Sequence, residues 1–147
     1  MAEPAGRVLR IERTFDAPAE EVFDAWTNPE VMRRWLHAGP EWETPSAKVD
    51  LRVGGEVRIA MRSPTGFEVE MGGEYTLIDR PRRLEFTWEF GDHPGNLQRI
   101  ELEFIEQDGR TTVVMVNSQI STDERYDSQL DGWQRCLDNL SEVLAEA

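Results

Sequence analysis

The sequence is short of cysteine, of long apolar runs and of basic residues. Cys136 is the single cysteine, so it has no partner for an internal disulfide, and we predict a reducing, cytoplasmic location. The stretch Met1–Gly6 lacks the apolar segment of a signal peptide. No run of about 18 apolar residues is present to span a bilayer. We therefore expect a soluble protein without a membrane span.

Basic residues are too few for a protein that binds polyanions. The chain has 16 Lys and Arg against 29 Asp and Glu, which gives a formal net charge of −13. Nucleic-acid binding needs a surplus of positive charge to neutralise phosphates, and an anionic membrane surface makes the same demand. The charge therefore excludes both partners and favours a role in solubility.

Signatures of metal, nucleotide and nucleophile chemistry are also missing. His37 and His93 have no Cys, His, Asp or Glu at a metal-ligand spacing. The sequence contains no Gly-x-Ser-x-Gly, no phosphate-binding loop and no dinucleotide fingerprint. Cys136 lies beside an apolar helix face with no nearby histidine, which is typical of an inert buried thiol. We predict no metal, no cofactor and no catalytic residue.

A long amphipathic helix is the strongest positive signal. Its apolar face recurs every three or four residues between Ser121 and Glu146: Tyr126, Leu130, Trp133, Leu137, Leu140 and Leu144. Ser121 and Glu124 have the spacing of a capping box at its start. The 147 residues suffice for one domain, 1–147, with residues 1–6 as a loose end.

The first third of the chain predicts one strand and two short helices. Alternation indicates a strand over Arg7–Phe15, in which Arg13 falls on the apolar face and should pair with a carboxylate. Pro18 is predicted at the first position of one helix, and Asn28-Pro29 opens a second. Leu36–Ala47 is rich in Gly and Pro and is predicted to be a loop.

Period-two alternation then runs from Lys48 to Ile120 and predicts a strand meander with one wet face. Gly72-Gly73 inside one of these strands indicates a bulge or a sharp bend. We therefore predict an α+β fold: a curved antiparallel sheet of six to seven strands, two short helices after the first strand, and a long C-terminal helix closing a cavity.

Seven motifs in order resemble the activator of heat-shock-protein-90 ATPase homologue-like proteins. They cover the chain from Arg7 to about Leu144 and are Phe15-Asp16-Ala17-Pro18, Val22-Phe23-Asp24-Ala25-Trp26-Thr27, Val53-Gly54-Gly55-Glu56, Gly73-Glu74-Tyr75, Pro81-Arg82-Arg83-Leu84, Thr87-Trp88, and Gly132-Trp133 with Leu137 and Leu140. That family is similar to START domains, polyketide cyclases and the birch-pollen allergen, so the resemblance implies the helix-grip fold.

The resemblance also implies a pocket between the sheet and the long helix that takes hydrophobic small molecules. It places Val113, Met115 and Asn117 inward, and Asn117-Ser118 stands where many relatives carry His before Ser. The activator itself makes much of its chaperone contact through a further N-terminal domain, whereas this chain matches the C-terminal type of domain. We therefore do not expect contact with the heat-shock chaperone.

The predicted function is binding of a small apolar or aromatic ligand, since such pockets are mostly apolar with a few polar anchors. Movement of the Leu36–Ala47 loop or of the Trp35 region would admit the ligand. Polar anchors could be Tyr75, Arg13, Asn117 and Glu74. The predicted ligand-binding residues are Trp26, Trp35, Ile59, Met61, Tyr75, Phe86, Trp88, Leu102, Phe104, Met115, Asn117, Leu130, Trp133 and Leu137.

Two other functions remain open at this point. A cyclase- or hydrolase-like enzyme could use the same cavity, with a Tyr, an Arg or a carboxylate as acid or base. An interaction protein, either a homodimer or a stress-related co-chaperone, would show an apolar outer surface. Val114 and Val116 are the outward hint for that reading.

Overall fold

The computed structural model describes residues 6–37 and 41–145. Three helices and seven strands follow one another in the order β1 (Arg7–Phe15), α1 (Ala19–Thr27), α2 (Pro29–Trp35), β2 (Glu43–Val49), β3 (Glu56–Arg62), β4 (Glu68–Asp79), β5 (Arg83–Phe90), β6 (Gln98–Gln107), β7 (Arg110–Ile120) and α3 (Asp123–Ala145). The predicted loose end falls outside the described residues except for Gly6.

All seven strands pair antiparallel in one open sheet of order β1-β7-β6-β5-β4-β3-β2. β1 and β2 are therefore the edges, and β1 pairs with the last strand rather than with its neighbour in sequence. The α+β prediction is confirmed, including the two short helices after β1 and the long C-terminal helix.

Two local predictions in the first third of the chain were wrong. Glu43–Val49 is a strand rather than part of a loop, and its Pro45 is tolerated because β2 is a sheet edge. Residues 38–40 of the predicted loop lie outside the described residues. Pro18 occupies the N-cap of α1 rather than its first position. The Asn28 cap of α2 is confirmed, because its side chain accepts a hydrogen bond from the Glu30 amide at 3.0 Å.

The predicted capping box of α3 is also corrected. The helix begins at Asp123, and the cap is Thr122, whose hydroxyl accepts a bond from the Arg125 amide at 3.1 Å. Ser121 lies one residue too early to cap, so the helix starts with the single-residue cap rather than with the predicted reciprocal pair. Glu146, the predicted last residue, lies outside the described residues.

Gly72 and Gly73 bring three strands close together. Pairing between β3 and β4 runs through both glycines without a register shift, so no bulge forms there. A Cβ on Gly72 would lie 2.1 Å from the Val57 carbonyl oxygen, and one on Gly73 would lie 2.1 Å from that of Thr87. A side chain at either position would clash with backbone, which explains the glycine pair.

The core lies between the inner sheet face and the three helices. Leu9, Ile11 and Phe15 of β1 are buried, and so are Val113 and Met115 of β7 as predicted. Aromatic rings are in contact through the interior, in the pairs Phe23–Phe104, Trp26–Trp35, Trp26–Trp133, Trp88–Trp133, Phe86–Trp88 and Tyr75–Phe86. Such tilted and edge contacts add to the stabilisation from burial.

The buried stripe of α3 is rotated relative to the predicted one. Gln129 and Cys136 are buried with Trp133, whereas Tyr126 and Leu130 are half-buried. Toward the C-terminus the stripe follows the prediction, with Leu137, Leu140 and Leu144 buried. Within the described residues, no helix has the length and apolarity to cross a membrane.

Candidate ligand cavity

A cavity of about 250 Å³ lies between the first half of α3 and strands β3–β5. Its wall is mostly apolar, with a few polar groups at the helix and at the rim. The lining residues are Leu36, Trp42, Met61, Phe67, Val69, Met71, Trp88, Phe90, Asp92, Arg125, Ser128, Gln129, Gly132, Trp133 and Cys136. Phe67, Asp92 and Ser128 are exposed, so this side of the cavity reaches the surface.

The cavity is open because neither α2 nor a side chain at Gly132 fills this space. α2 ends at Trp35 and supports α3 only around Cys136 and Asn139, whose side chains donate to the His37 and Trp35 carbonyls. Closer to the start of α3, the described contact with another helix is that of Trp26 in α1, whose ring centroid lies 5.9 Å from that of Trp133. Around Trp133 the cavity-lining positions of α3 are Arg125, Ser128, Gln129 and Gly132, a glycine and polar residues instead of leucine. At Gly132 an added Cβ would meet nothing within 4 Å.

A network of buried amides reaches the cavity through Gln129 and joins α3 to the sheet. Gln129 and Gln98 exchange two hydrogen bonds of 2.8 and 2.9 Å, and Gln129 also donates to Asn117 at 2.8 Å. The Trp133 indole N–H donates to the same Asn117 oxygen at 3.3 Å. Buried polar groups that satisfy one another in this way fix the geometry around them. The network thus holds the Trp133 ring in place over the cavity.

The rim of the cavity holds a cation. The Arg125 guanidinium lies over the Phe90 ring, 4.8 Å from its centroid, and Arg125 Nε is buried without a hydrogen-bond partner among the described residues. Asp92 lies on the same rim and is 3.9 Å from His93. The polar groups of the cavity are therefore concentrated at the mouth and at the amide network.

Cys136 is a lining residue with an unreactive thiol. Burial raises its pKa to about 12, and the thiol donates a hydrogen bond to the His37 carbonyl at 3.3 Å. At neutral pH the group is a neutral thiol, which is a poor nucleophile. No group of three or more His, Cys, Asp or Glu side chains is placed to hold a metal ion in the part of the chain that the structure describes.

The structure places three of the predicted ligand-binding residues on the cavity: Met61, Trp88 and Trp133. The others pack in the core around it rather than on its wall. They are Trp26, Trp35, Ile59, Tyr75, Phe86, Leu102, Phe104, Met115, Asn117, Leu130 and Leu137. All of these are buried except Leu130, which is half-buried.

The four proposed polar anchors have different surroundings. Arg13 forms the predicted ion pair, with Asp138 at 2.8 Å. Asn117 bonds to its network partners, and Glu74 is exposed on the outer face of the sheet. The Tyr75 hydroxyl is buried without a partner, and burial raises its pKa. None of the four lines the cavity.

Several lining residues that were not predicted to bind the ligand belong to two patterns in the sequence. Phe67, Val69 and Met71 alternate with glutamates, which is a period-two signal that could have placed them on the inner face. Arg125, Gln129, Gly132 and Cys136 recur every three or four residues along α3, but a hydrophobicity pattern ignores polar residues. Trp42 follows the undescribed residues 38–40 and has no such signal.

Comparison with known proteins agrees with this architecture. A family model described as "Activator of Hsp90 ATPase homolog 1-like protein" matches residues 16–145. The chain belongs to this family. A curated relative, Uncharacterized protein C1711.08 of Schizosaccharomyces pombe, is 25% identical over 104 residues. The match covers 70% of this chain and 27% of that protein, so the chain spans about a quarter of the relative.

Solved structures share the fold over nearly the whole chain. The AHSA1-like protein of Aeromonas hydrophila is 28% identical with a TM-score of 0.81, covering 95% of this chain and 93% of that one. An uncharacterised protein of Rhizobium leguminosarum is 26% identical with a TM-score of 0.82, covering 96% and 95%. Protein CV1439 of Chromobacterium violaceum, at 21% identity, reaches 0.83 over 93% and 96%. The helix-grip fold is therefore shown.

Proposed function

We propose that the protein binds a small apolar or aromatic molecule in the cavity between β3–β5 and α3. The observation that carries the proposal is the cavity itself, which is lined by aromatic and apolar side chains and reaches the surface beside Phe67. Natural ligand sites share this character: concave, mostly apolar and supplied with a few polar groups. The lone buried Cys136 favours the cytoplasm as the setting.

The dimensions limit the ligand. Sites for drug-sized molecules occupy about 300–1,000 Å³. A cavity of about 250 Å³ falls below that range and suits one or two rings. Three tryptophans, Trp42, Trp88 and Trp133, contribute to the wall, and planar ligands stack on such rings.

The cavity offers little to an enzyme. Its titratable side chains are Asp92, Arg125 and Cys136, and the raised pKa of the thiol keeps it protonated. A hydrolase or cyclase would need an acid and a base that converge on one reacting atom. Phe67 and Leu97 are more exposed than Val114 and Val116, so a homodimer or chaperone contact would use that outer region. Both alternatives remain predictions.

Two experiments test ligand binding. Native mass spectrometry of the freshly purified protein, followed by solvent extraction, should reveal a co-purified molecule at one per chain. The second is an NMR titration with 2-naphthamide, a neutral two-ring probe. The probe should shift the indole N–H signals of the cavity tryptophans and leave that of Trp35, whose N–H donates to the Ala25 carbonyl, unchanged.

A blocked cavity gives the matched control. Gly132→Leu projects a side chain into the open space beside the helix and should abolish the naphthamide shifts. Gln134→Leu adds the same residue on the exposed face of α3 and should leave them intact. The proposal fails if both variants bind as the wild type does, or if neither a co-purified molecule nor a probe occupies the cavity.

A further inference from the structure

We infer that the ligand carries an anionic group, which Arg125 receives at the cavity mouth. The ligand class is then a small aromatic or apolar carboxylate rather than a neutral hydrocarbon or an organic cation. This inference rests on the proposed function. The cavity wall determines the apolar body of the ligand, and the rim determines its charge.

Arg125 is a cation without an anion. Its guanidinium forms no ion pair and no hydrogen bond with a described residue, and its Nε is buried. The contact with the Phe90 ring holds the side chain beside the cavity but supplies no acceptor for its N–H groups. A buried charged donor without an acceptor is costly, and an acceptor on a bound ligand would relieve that cost.

The contrast with other arginines is sharp in so acidic a chain. On the same helix Arg135 pairs with Asp131 at 3.0 Å, and at the start of the helix Asp123 accepts from Arg7 at 2.8 Å. Acidic residues outnumber basic ones 29 to 16, so carboxylates are plentiful. An arginine that stays unpaired at the mouth of an apolar cavity therefore has its binding capacity available for a ligand.

Two other groups define how the anion would lie. Asp92 is also on the rim and repels an anion, so the anionic group is confined to the Arg125 side of the mouth. Deeper in the wall, Trp88 Nε1 is buried with no acceptor among the described residues. Trp88 and Arg125 are the two cavity-lining residues in this condition. Each of these two residues has an N–H donor without an acceptor. A carboxylate supplies acceptors and no donor, so it suits both groups.

A pair of isosteric probes separates charge from shape. 2-Naphthoate and 2-naphthamide share a ring system and differ in the charge of the substituent. We expect the wild type to bind naphthoate at least tenfold more tightly by NMR titration. Arg125→Met should remove about tenfold or more of the naphthoate affinity, which is the range for a charged hydrogen bond, and should change naphthamide affinity less than twofold.

Arg135→Met is the control, because it removes the same charge from the same helix at an exposed position paired with Asp131. It should leave both affinities unchanged. Equal binding of the two probes to the wild type, or equal losses of both in Arg125→Met, would overturn the anionic class while ligand binding stands. Equal naphthoate losses in both arginine variants would also overturn it, as a net-charge effect. If neither probe binds, this inference fails, and the proposed function fails with it unless a co-purified molecule occupies the cavity.

Discussion

The two halves of α3 cover very different interiors. From Cys136 onward the helix rests on α2 and on the inner sheet face, and its inward residues Leu137, Leu140 and Leu144 are buried in packed core. Before Cys136 the cavity-lining residues other than Trp133 are polar or small, namely Arg125, Ser128, Gln129 and Gly132, and the space beneath them is open. The same amphipathic helix thus acts as a core element at one end and as a cavity roof at the other.

The difference shows that the cavity forms where α3 has no support from α2 and lacks a side chain at Gly132. The cavity wall carries five aromatic residues, so it is not poor in apolar side chains: Trp42, Phe67, Trp88, Phe90 and Trp133. It lacks support from α2 and a side chain at Gly132. Packed interiors tolerate few voids, because unfilled space forfeits dispersion contacts. An open space that the sequence preserves with a glycine and a satisfied amide network is the expected form of a binding site.

Truncating one methionine in each region should give the largest contrast. Met115 is buried in the core at 1% exposure and Met71 on the cavity wall at 2%, both on strands. Met115→Ala should lower the free energy of unfolding by about 2–5 kcal/mol, since it creates a new cavity. Met71→Ala should cost clearly less, because Met71 lines the existing cavity and the space it leaves would join that cavity instead of forming a new closed one. Urea unfolding measures both.

Equal costs for the two methionine variants would mean that the cavity is filled by repacking in solution. The distinction between the two halves would then be lost. Unchanged denaturant m-values are the condition for the comparison, because a changed m-value indicates an altered denatured state.

Cys136 lies at the boundary of the two halves and gives a pH test. Burial raises its pKa to about 12, whereas an unfolded chain should titrate near about 8.5. Below pH 8.5 both states hold the proton and stability is unaffected. Between the two values the unfolded state loses its proton first, so stability falls by about 1.4 kcal/mol per pH unit.

Cys136→Ala removes this titration and should flatten the stability profile between pH 8.5 and 9.5. The buried Tyr75, whose pKa is also raised, remains in both proteins and cancels in the comparison at these pH values. If the wild-type stability profile is as flat as that of the variant, the Cys136 thiol is in contact with water rather than buried.

The sequence predicted the fold because its signals are periodic. Alternation indicated the strands, and the spacing from Trp133 to Leu144 indicated the core end of α3, where packing requires large apolar residues. The site was predicted less well because binding sites depart from these patterns. Asn117 was predicted to be a polar anchor for the ligand. Its side chain instead bonds to Gln98 and Gln129, and the three residues meet only when β7, β6 and α3 are packed together. Arg125 has no hydrophobicity signal at all.

The sequence also gave no indication of where the cavity lies along the helix. That position depends on where α2 ends relative to α3, which is a tertiary distance rather than a local pattern. Trp26 and Trp35, which were predicted to bind the ligand, pack against each other in the core, with their ring centroids 4.7 Å apart. Sequence periodicity marks a residue as inward but does not say whether it faces another side chain or open space.

Gly132→Ala tests, with the smallest expected effect, whether the missing side chain at this position keeps the cavity open. Alanine is favoured over glycine inside a helix by about 1 kcal/mol, and a Cβ here meets nothing within 4 Å. The variant should therefore raise the free energy of unfolding by about that amount in urea. Gly73→Ala is the matched control with the opposite expected sign, because its Cβ would lie 2.1 Å from the Thr87 carbonyl oxygen. Destabilisation by Gly132→Ala would show that α3 lies closer to the sheet than described and that the glycine is needed for close packing. Stabilisation together with weaker naphthamide binding would show that the glycine costs stability and keeps the cavity open.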